Sequence, residues 1–263
     1  GYTLYAMPPS SSGGVTTIEI LNQLETWNKL PDFNSAEYKH LLAETFQRAF
    51  VDRNTKLGDP AFVSNPLAML TDKTYARKLA STIKPDRATP PPSFSVAAEP
   101  MHTTHYSVVD ASGNAVSTTT TLNSGFGSGV YVADGGFFMN DEMDDFAAQP
   151  GKANQFGLVQ GEINAIQPGK RMLSAMSPTI VLDRDGKLMM VVGAAGGPTI
   201  ITGVTQVILN VIDQHMSLWD AMYAPRIHDQ AWPDELTYEA GRLSQSAMDS
   251  LTAMGYKLHA VNA

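Results

Sequence analysis

The chain has 263 residues, 43% of them hydrophobic and 17% charged, with a net charge of -8 and a pI near 5.1. That length allows one large domain or two small ones with a sizeable core. The acidic balance without a basic cluster argues against nucleic acid as a partner, and apolar runs as short as Met189 to Val192 do not span a bilayer. The absence of cysteine removes disulfides, thiolate catalysis and Cys-ligated metals together. No Asn-x-Ser/Thr acceptor occurs, which speaks against a eukaryotic secreted protein. A start at Gly1, with neither Met nor a signal peptide, suggests a segment of a longer precursor with any targeting signal upstream.

Residues 2 to 7 alternate like a strand, and Pro8 to Gly14 reads as a turn-rich loop leading into a helix from about Thr16 to Trp27, with Ile18, Leu21 and Leu24 at helical spacing. Ser35 is the expected N-cap of a second helix carrying Tyr38, Leu41, Leu42, Thr45, Phe46 and Ala49 along one face, and Gly58-Asp59-Pro60 ends that unit. A shorter helix is expected near Asp72 to Ile83. The run from Lys84 to Pro100, with Pro85, Pro90, Pro91, Pro92 and Pro100, has no periodicity and reads as a linker. After Thr103, the segments Tyr106 to Val109 and Ala115 to Leu122 form a hairpin around Asp110 to Asn114. Glycines then crowd Gly125 to Gly136, and an acidic cluster follows at Asn140 to Phe146. A second hairpin joins Ser177 to Leu182 with Lys187 to Val192. Helices are expected from about Thr199 to Gln214 and from Ser244 to Met254, the latter stopped by Gly255. Helices, a linker, then mixed strands and helices predict the α+β class.

Several groups could carry chemistry. Thr103 stands where the linker becomes a strand. If the preceding bond were cut, its hydroxyl could attack while its own freed amine acted as base. A threonine pair opening a β-branched strand is the commoner reading. Gly196-Gly197 before a helix could expose consecutive N–H groups at a positive helix terminus, as an oxyanion hole requires, or could be only a tight turn with Pro198 in the first helical turn. The carboxylates Asp141, Glu142, Asp144 and Asp145 could grip an ammonium or a divalent cation, although the spacing is not that of a calcium loop and fits a solvated acidic turn. Arg171 to Pro178 offers hydroxyls before a strand, or is an ordinary polar loop. The histidines form no HExxH pair, no Gly-x-Ser-x-Gly elbow occurs, and Gly125-Phe-Gly-Ser-Gly129 lacks the context of a nucleotide loop.

Taken together, the segments Met7 to Gly14, Thr103 to Asp110, Gly113 to Val116, Leu122-Asn123, Asn140 to Phe146, Met176 to Ile180, Gly196-Gly197 and Ala224 to His228 are collinear and specific. In these the chain resembles the γ-glutamyltranspeptidase family of the N-terminal-nucleophile hydrolase superfamily. The resemblance implies a four-layer αββα sandwich, incomplete in this chain, and a precursor that cuts itself before Thr103. Residues 1–102 would be the C-terminal part of the large-subunit region with its Pro-rich linker. Residues 103–263 would be the small-subunit, catalytic region, short at its C-terminus. The new N-terminal Thr103 would attack a γ-glutamyl amide such as glutathione, and water or an acceptor amino acid would release the acyl group. By the same resemblance Thr121 orients the nucleophile, Gly196 and Gly197 form the oxyanion hole, Asn123, Glu142 and Asp145 hold the substrate α-amino group, and Ser174 binds its carboxylate. That chemistry is coherent: a zwitterionic head needs anions for its ammonium and donors for its carboxylate. No cofactor, metal, nucleic acid or membrane is implied. A bacterial periplasmic or secreted location is expected, with the large-subunit remainder as a partner.

Three departures stand out. Ala175 replaces the second carboxylate-binding serine, Phe156 stands where some members carry a lid tyrosine, and the family's carboxylate-binding arginine would lie upstream of this chain. The alternatives are an acylase of the same superfamily acting on glutaryl-type amides, which would not need Asn123, Glu142 and Asp145 together, and an unprocessed, non-catalytic fragment.

Overall fold

A computed structural model of the chain describes residues 1–92, 103–155 and 157–262. His102, the end of the Pro-rich run from residue 93 and Phe156 lie outside the described residues, and with them the expectations for the scissile bond and for a Phe156 lid.

The first half is built on helices. Strand β1 (Thr3–Ala6) is followed by α1 (Gly13–Leu24), which starts within the expected loop. The reason is close approach: a Cβ on Gly13 would lie 2.3 Å from Ser177 Oγ, and one on Gly14 2.6 Å from the Met7 carbonyl, so both glycines belong to a packed first turn. Helix α2 (Ala36–Lys56) starts where the sequence predicts, with Ser35 Oγ accepting the Tyr38 N–H at 3.1 Å. It is buried on nearly all sides rather than on one face. Its polar residues therefore need partners: Arg48 pairs with Glu44 at 2.7 Å, His40 Nδ1 lies 2.7 Å from the Tyr256 hydroxyl, and Lys39 Nζ donates to the Pro225 carbonyl at 2.9 Å. A short α3 (Leu67–Leu70), not anticipated, precedes α4 (Lys73–Ala80), whose cap Asp72 accepts from the N–H groups of Thr74 and Tyr75.

The second half opens with the expected hairpin of β2 (Thr104–Val109) and β3 (Ala115–Thr120). A small β4 (Tyr131–Val132) and β5 (Phe137–Phe138) pair follows, then a 3-10 turn at Glu142–Asp145. Strands β6 (Thr179–Leu182) and β7 (Leu188–Val192) lead into α5 (Thr199–Ile212) and α6 (Leu218–Tyr223). The chain closes with β8 (Ile227–His228), β9 (Leu236–Glu239), α7 (Gln245–Ala253) and β10 (Leu258–Val261). The class is α+β, as expected.

Elements from both sides of residue 103 share one core. β1 pairs antiparallel with β6, setting Leu4 opposite Val181, in the sheet β1-β6-β7. Ile20, Leu42, Phe46, Ile201, Leu236 and Leu251, from α1, α2, α5, β9 and α7, belong to one buried cluster. The β2–β3 hairpin is anchored on β7 by side chains: Ser117 Oγ donates to the Val192 carbonyl at 3.2 Å, and Ser107 Oγ to that of Val191 at 3.3 Å. The His105 ring sits against Gly193, where any Cβ would fall 2.2 Å from it. This fixes the start of β2 beside the loop that carries Gly196 and Gly197.

Candidate active site

Thr103 immediately precedes β2, and Thr121 immediately follows β3. The register pairs Thr104 with Thr120, so the next residues outward face each other. Thr103 Oγ1 lies 3.4 Å from Thr121 Oγ1, which also accepts the Asn123 N–H at 2.8 Å. Asn123 holds a left-handed backbone, φ +77°, which asparagine tolerates better than most residues. Its Nδ2 donates to the Asp141 carbonyl at 3.3 Å, and the Ser124 N–H and Oγ donate to the Asp141 carboxylate at 2.9 and 2.6 Å. This clasp locks the turn after β3 to the acidic turn.

On that turn Glu142 and Asp145 are hydrogen-bonded to each other. Burial raises the pKa of Asp145 well above the ordinary aspartate range, and the Glu142 charge raises it further, while Arg53 pulls the other way. Burial also raises Glu142. Two carboxyls so placed titrate as a pair that keeps a proton longer than either would alone. Asp144 is exposed on the same turn and does not join them.

Ser174 lies on a segment braced by the sequence's first motif. Ser12 donates to the Ser174 carbonyl through both its N–H, at 2.8 Å, and its Oγ, at 2.7 Å; the Ser174 N–H donates to the Ser10 carbonyl at 3.0 Å; and Ser11 Oγ donates to the Met176 carbonyl at 2.6 Å. Ser174 Oγ accepts the Met176 N–H at 3.1 Å, which leaves its own proton available to donate. Arg171, just upstream, is tied by a 2.7 Å ion pair to buried Asp59, whose carboxyl those bonds hold well below the usual range. Gly58-Asp59-Pro60 is thus more than a helix stop.

Gly196 and Gly197 have φ of +122° and +53°, values that favour glycine. Their carbonyls accept the N–H groups of Thr199 and Ile200, both at 3.1 Å, in the first turn of α5. Their own N–H groups lie ahead of that helix's ladder, at its positive end.

Thr103, Thr121, Asn123, Asp145, Ser174 and Gly197 line one narrow cavity of about 20 Å³, together with Arg53, Leu158, Ala175, Met176, Pro198 and Ile200. Glu142 joins the group through Asp145, and Gly196 as the neighbour of Gly197. The far side of Thr103 and Thr121 borders a wider cleft of about 380 Å³, lined by Thr104, Thr120, Leu122, Ser124 and Gly125. A hydroxyl at the meeting of two cavities can be approached by an acyl group from one side and a small nucleophile from the other. Among the described residues no group of three or more His, Asp or Glu side chains could hold a metal ion, and no helix is long and apolar enough to cross a membrane.

Sequence reasoning passed over Arg53. The signal was there: Phe46, Ala49, Phe50, Arg53 and Leu57 follow one helical stripe, so the arginine interrupts a row of core residues. Its side chain is fully buried.

The fold is that of an N-terminal-nucleophile hydrolase, present here in part. A cephalosporin acylase from Bacillus halodurans superposes over the whole chain with a TM-score of 0.81 at 24% identity, covering 45% of that protein, a likeness of fold. A γ-glutamyltranspeptidase variant from Helicobacter pylori is 51% identical over 60% of this chain and 84% of the compared chain, with a TM-score of 0.58. The "Glutathione hydrolase proenzyme" of Pseudomonas aeruginosa is 49% identical over 98% of this chain and 47% of its own length. The family model for gamma-glutamyltranspeptidase matches residues 1–263. The chain belongs to the γ-glutamyltranspeptidase family, and it spans about half the length of the relatives it matches.

Proposed function

We propose that the protein is a γ-glutamyl hydrolase/transferase that cleaves γ-glutamyl amides such as glutathione through an N-terminal threonine made by self-cleavage before Thr103. The observation that carries this reading is the Thr103–Thr121 hydroxyl contact, in the wall of the same cavity as Asn123, Asp145, Ser174 and Gly197. After cleavage, the free amine of Thr103 takes the proton of its own hydroxyl as Oγ1 attacks the γ-carbonyl. Thr121 orients that hydroxyl. The oxyanion of the tetrahedral intermediate is held by the N–H groups of Gly196 and Gly197. The amide C–N bond breaks, its nitrogen leaving with the proton carried by the Thr103 amine. Water or the amine of an acceptor amino acid then attacks the ester and regenerates the threonine. Asn123, Glu142 and Asp145 receive the substrate α-ammonium, and Ser174 donates to its carboxylate. In this reading residues 1–102 end the large-subunit region, residues 103–263 are the catalytic region, and the location is periplasmic or secreted.

Thr103→Ala tests the reading. The unaltered protein, expressed from its complete reading frame, is expected to run as two pieces on a denaturing gel, with intact mass placing the cut before Thr103. The variant is expected to stay a single uncut chain without turnover. Fragments beginning at residue 103 in the variant would assign the cut to an outside protease and sink the proposal.

The glutaryl-amide acylase is the second reading: a glutaryl group keeps the carboxylate that Ser174 would bind and lacks only the α-amino group. Paired γ-glutamyl and glutaryl anilides, which differ only in the α-amino group, separate the two. The ammonium-binding arrangement predicts faster turnover of the glutamyl compound.

A further inference from the structure

Arg53 is a full charge in the protein interior. Its Nε donates to Ser12 Oγ at 2.8 Å, Nη1 to Asn54 Oδ1 at 2.8 Å, and Nη2 to the Leu173 carbonyl at 3.3 Å. All three acceptors are neutral, and among the described residues no carboxylate lies within ion-pair distance of it. A buried charge without a counter-charge is costly. The cavity wall supplies one at longer range: Arg53 and Asp145 line the same cavity, with Ser174 beside them. Among the described residues the other charges acting on Asp145 are like ones, from Glu142 and Asp141 on its own turn.

We infer that Arg53 is the counter-charge that favours the anion of Asp145 across the cavity, and that it thereby sets the site's affinity for a substrate ammonium. Its role is positioning: it acts on the substrate through Asp145, from the far end of a helix whose sequence block carries no assigned role. The effect on substrate rests on the γ-glutamyl reading, while the effect on Asp145 does not. Burial and Glu142 press Asp145 toward its protonated form, and Arg53 is the group that resists them.

Carboxyl-carbon NMR titration of the protein labelled at Asp and Glu, with Asp145 assigned through Asp145→Asn, reads the charge directly. Arg53→Gln is expected to raise the upper midpoint of the Asp145–Glu142 pair by about one pH unit or more, and Arg53→Lys to leave it within about half a unit of its original value. With γ-glutamyl anilide, the Gln variant is expected to show a KM raised several-fold near neutral pH that recovers only as pH passes the raised midpoint, with kcat little changed. An unmoved midpoint, or an equal loss at every pH, would reduce Arg53 to a structural brace and overturn the inference. If Arg53→Gln does not fold, combining it with Asp145→Asn decides: removing both charges restores folding if each balances the other, and a double variant that stays unfolded overturns the pairing. A protein that shows the midpoint shift but never cleaves γ-glutamyl anilide refutes the proposed function and leaves the role of Arg53 standing.

Discussion

A carboxylate that grips an ammonium has to be desolvated to bind strongly and ionised to bind at all, and Asp145 stands between those demands. Truncating it to Ala should cost on the order of 2–5 kcal/mol in transition-state binding, the usual size for removing one partner of a buried charge pair. Asp145→Asn keeps the shape, loses the charge and should be strongly impaired too; either variant with normal γ-glutamyl-anilide turnover would refute the clamp. Because the Asp145–Glu142 pair holds a proton above the usual carboxylate range, KM should fall as pH rises through its midpoint and climb on acidification. Ala175 raises the converse question, since a missing hydroxyl donor to a carboxylate forfeits about 1.5–3 kcal/mol. Ala175→Ser should lower KM for γ-glutamyl substrates in the complete reading frame, and an unchanged KM would mean that the carboxylate is held elsewhere. Thr121 and Asn123 enter the candidate site only through the resemblance, which also lifts Thr103, Glu142, Asp145, Ser174, Gly196 and Gly197 above their commoner readings. Spacing alone leaves Thr103 a strand residue and the acidic run a solvated turn. What joins them is the Thr103–Thr121 contact at the open end of the β2–β3 hairpin and the Asp141 clasp, contacts between residues 17 or 18 positions apart.

At the scale of elements, the sequence was most informative where the signal is local. Ser35, Asp72 and Ser244 cap the helices they were expected to open, and Asp110 to Asn114 closes the hairpin beside Thr103. The misses are short or depend on distant partners. β8 has two residues and exists because Ile227 and His228 pair with Tyr238 and Thr237, and β10 because it runs parallel to β9 across an intervening helix. The start of α1 was misplaced for a different reason. Gly13-Gly14 reads in the sequence as the end of a turn-rich loop, whereas the structure uses the pair for its lack of side chains. A Cβ on Gly13 would meet Ser177 Oγ at 2.3 Å, the Met176 carbonyl at 2.4 Å and Ser177 Cα at 2.9 Å, and two of those three atoms are backbone. Gly13→Ala should therefore destabilise by about 1–3 kcal/mol, as overpacking does, and displace the segment that holds Ser174. A urea midpoint equal to the parent's, with unchanged KM, would show that the segment is not seated on α1 as described.

For the whole molecule, stability against pH depends on groups that folding holds in their neutral form. Asp229, fully buried beyond β8, is raised to about 8, by burial first and then by the charges of Glu44 and Asp234. The folded chain thus keeps a proton that the unfolded chain has released above about pH 4. The folded state binds more protons across that window, so this contribution falls as pH rises, by up to about 1.4 kcal/mol per pH unit. Its neighbour His228 acts in the opposite sense. Burial lowers it to about 4, so between that value and about pH 6.5 the unfolded chain takes up a proton that the folded one refuses, and stability falls on acidification. Between about pH 4 and 6.5 the two slopes cancel; above that only the carboxyl slope remains. Glu19, buried in α1 and also raised, adds to it in the same direction. The urea midpoint should accordingly decline between pH 6.5 and 8. Asp229→Asn, which keeps the shape and cannot ionise, should flatten much of that decline, the remainder belonging to Glu19 and the Asp145–Glu142 pair. A variant that declines as steeply as its parent would mean that Asp229 is ionised in the folded protein, and that the site beneath β8 is wetter than its burial indicates.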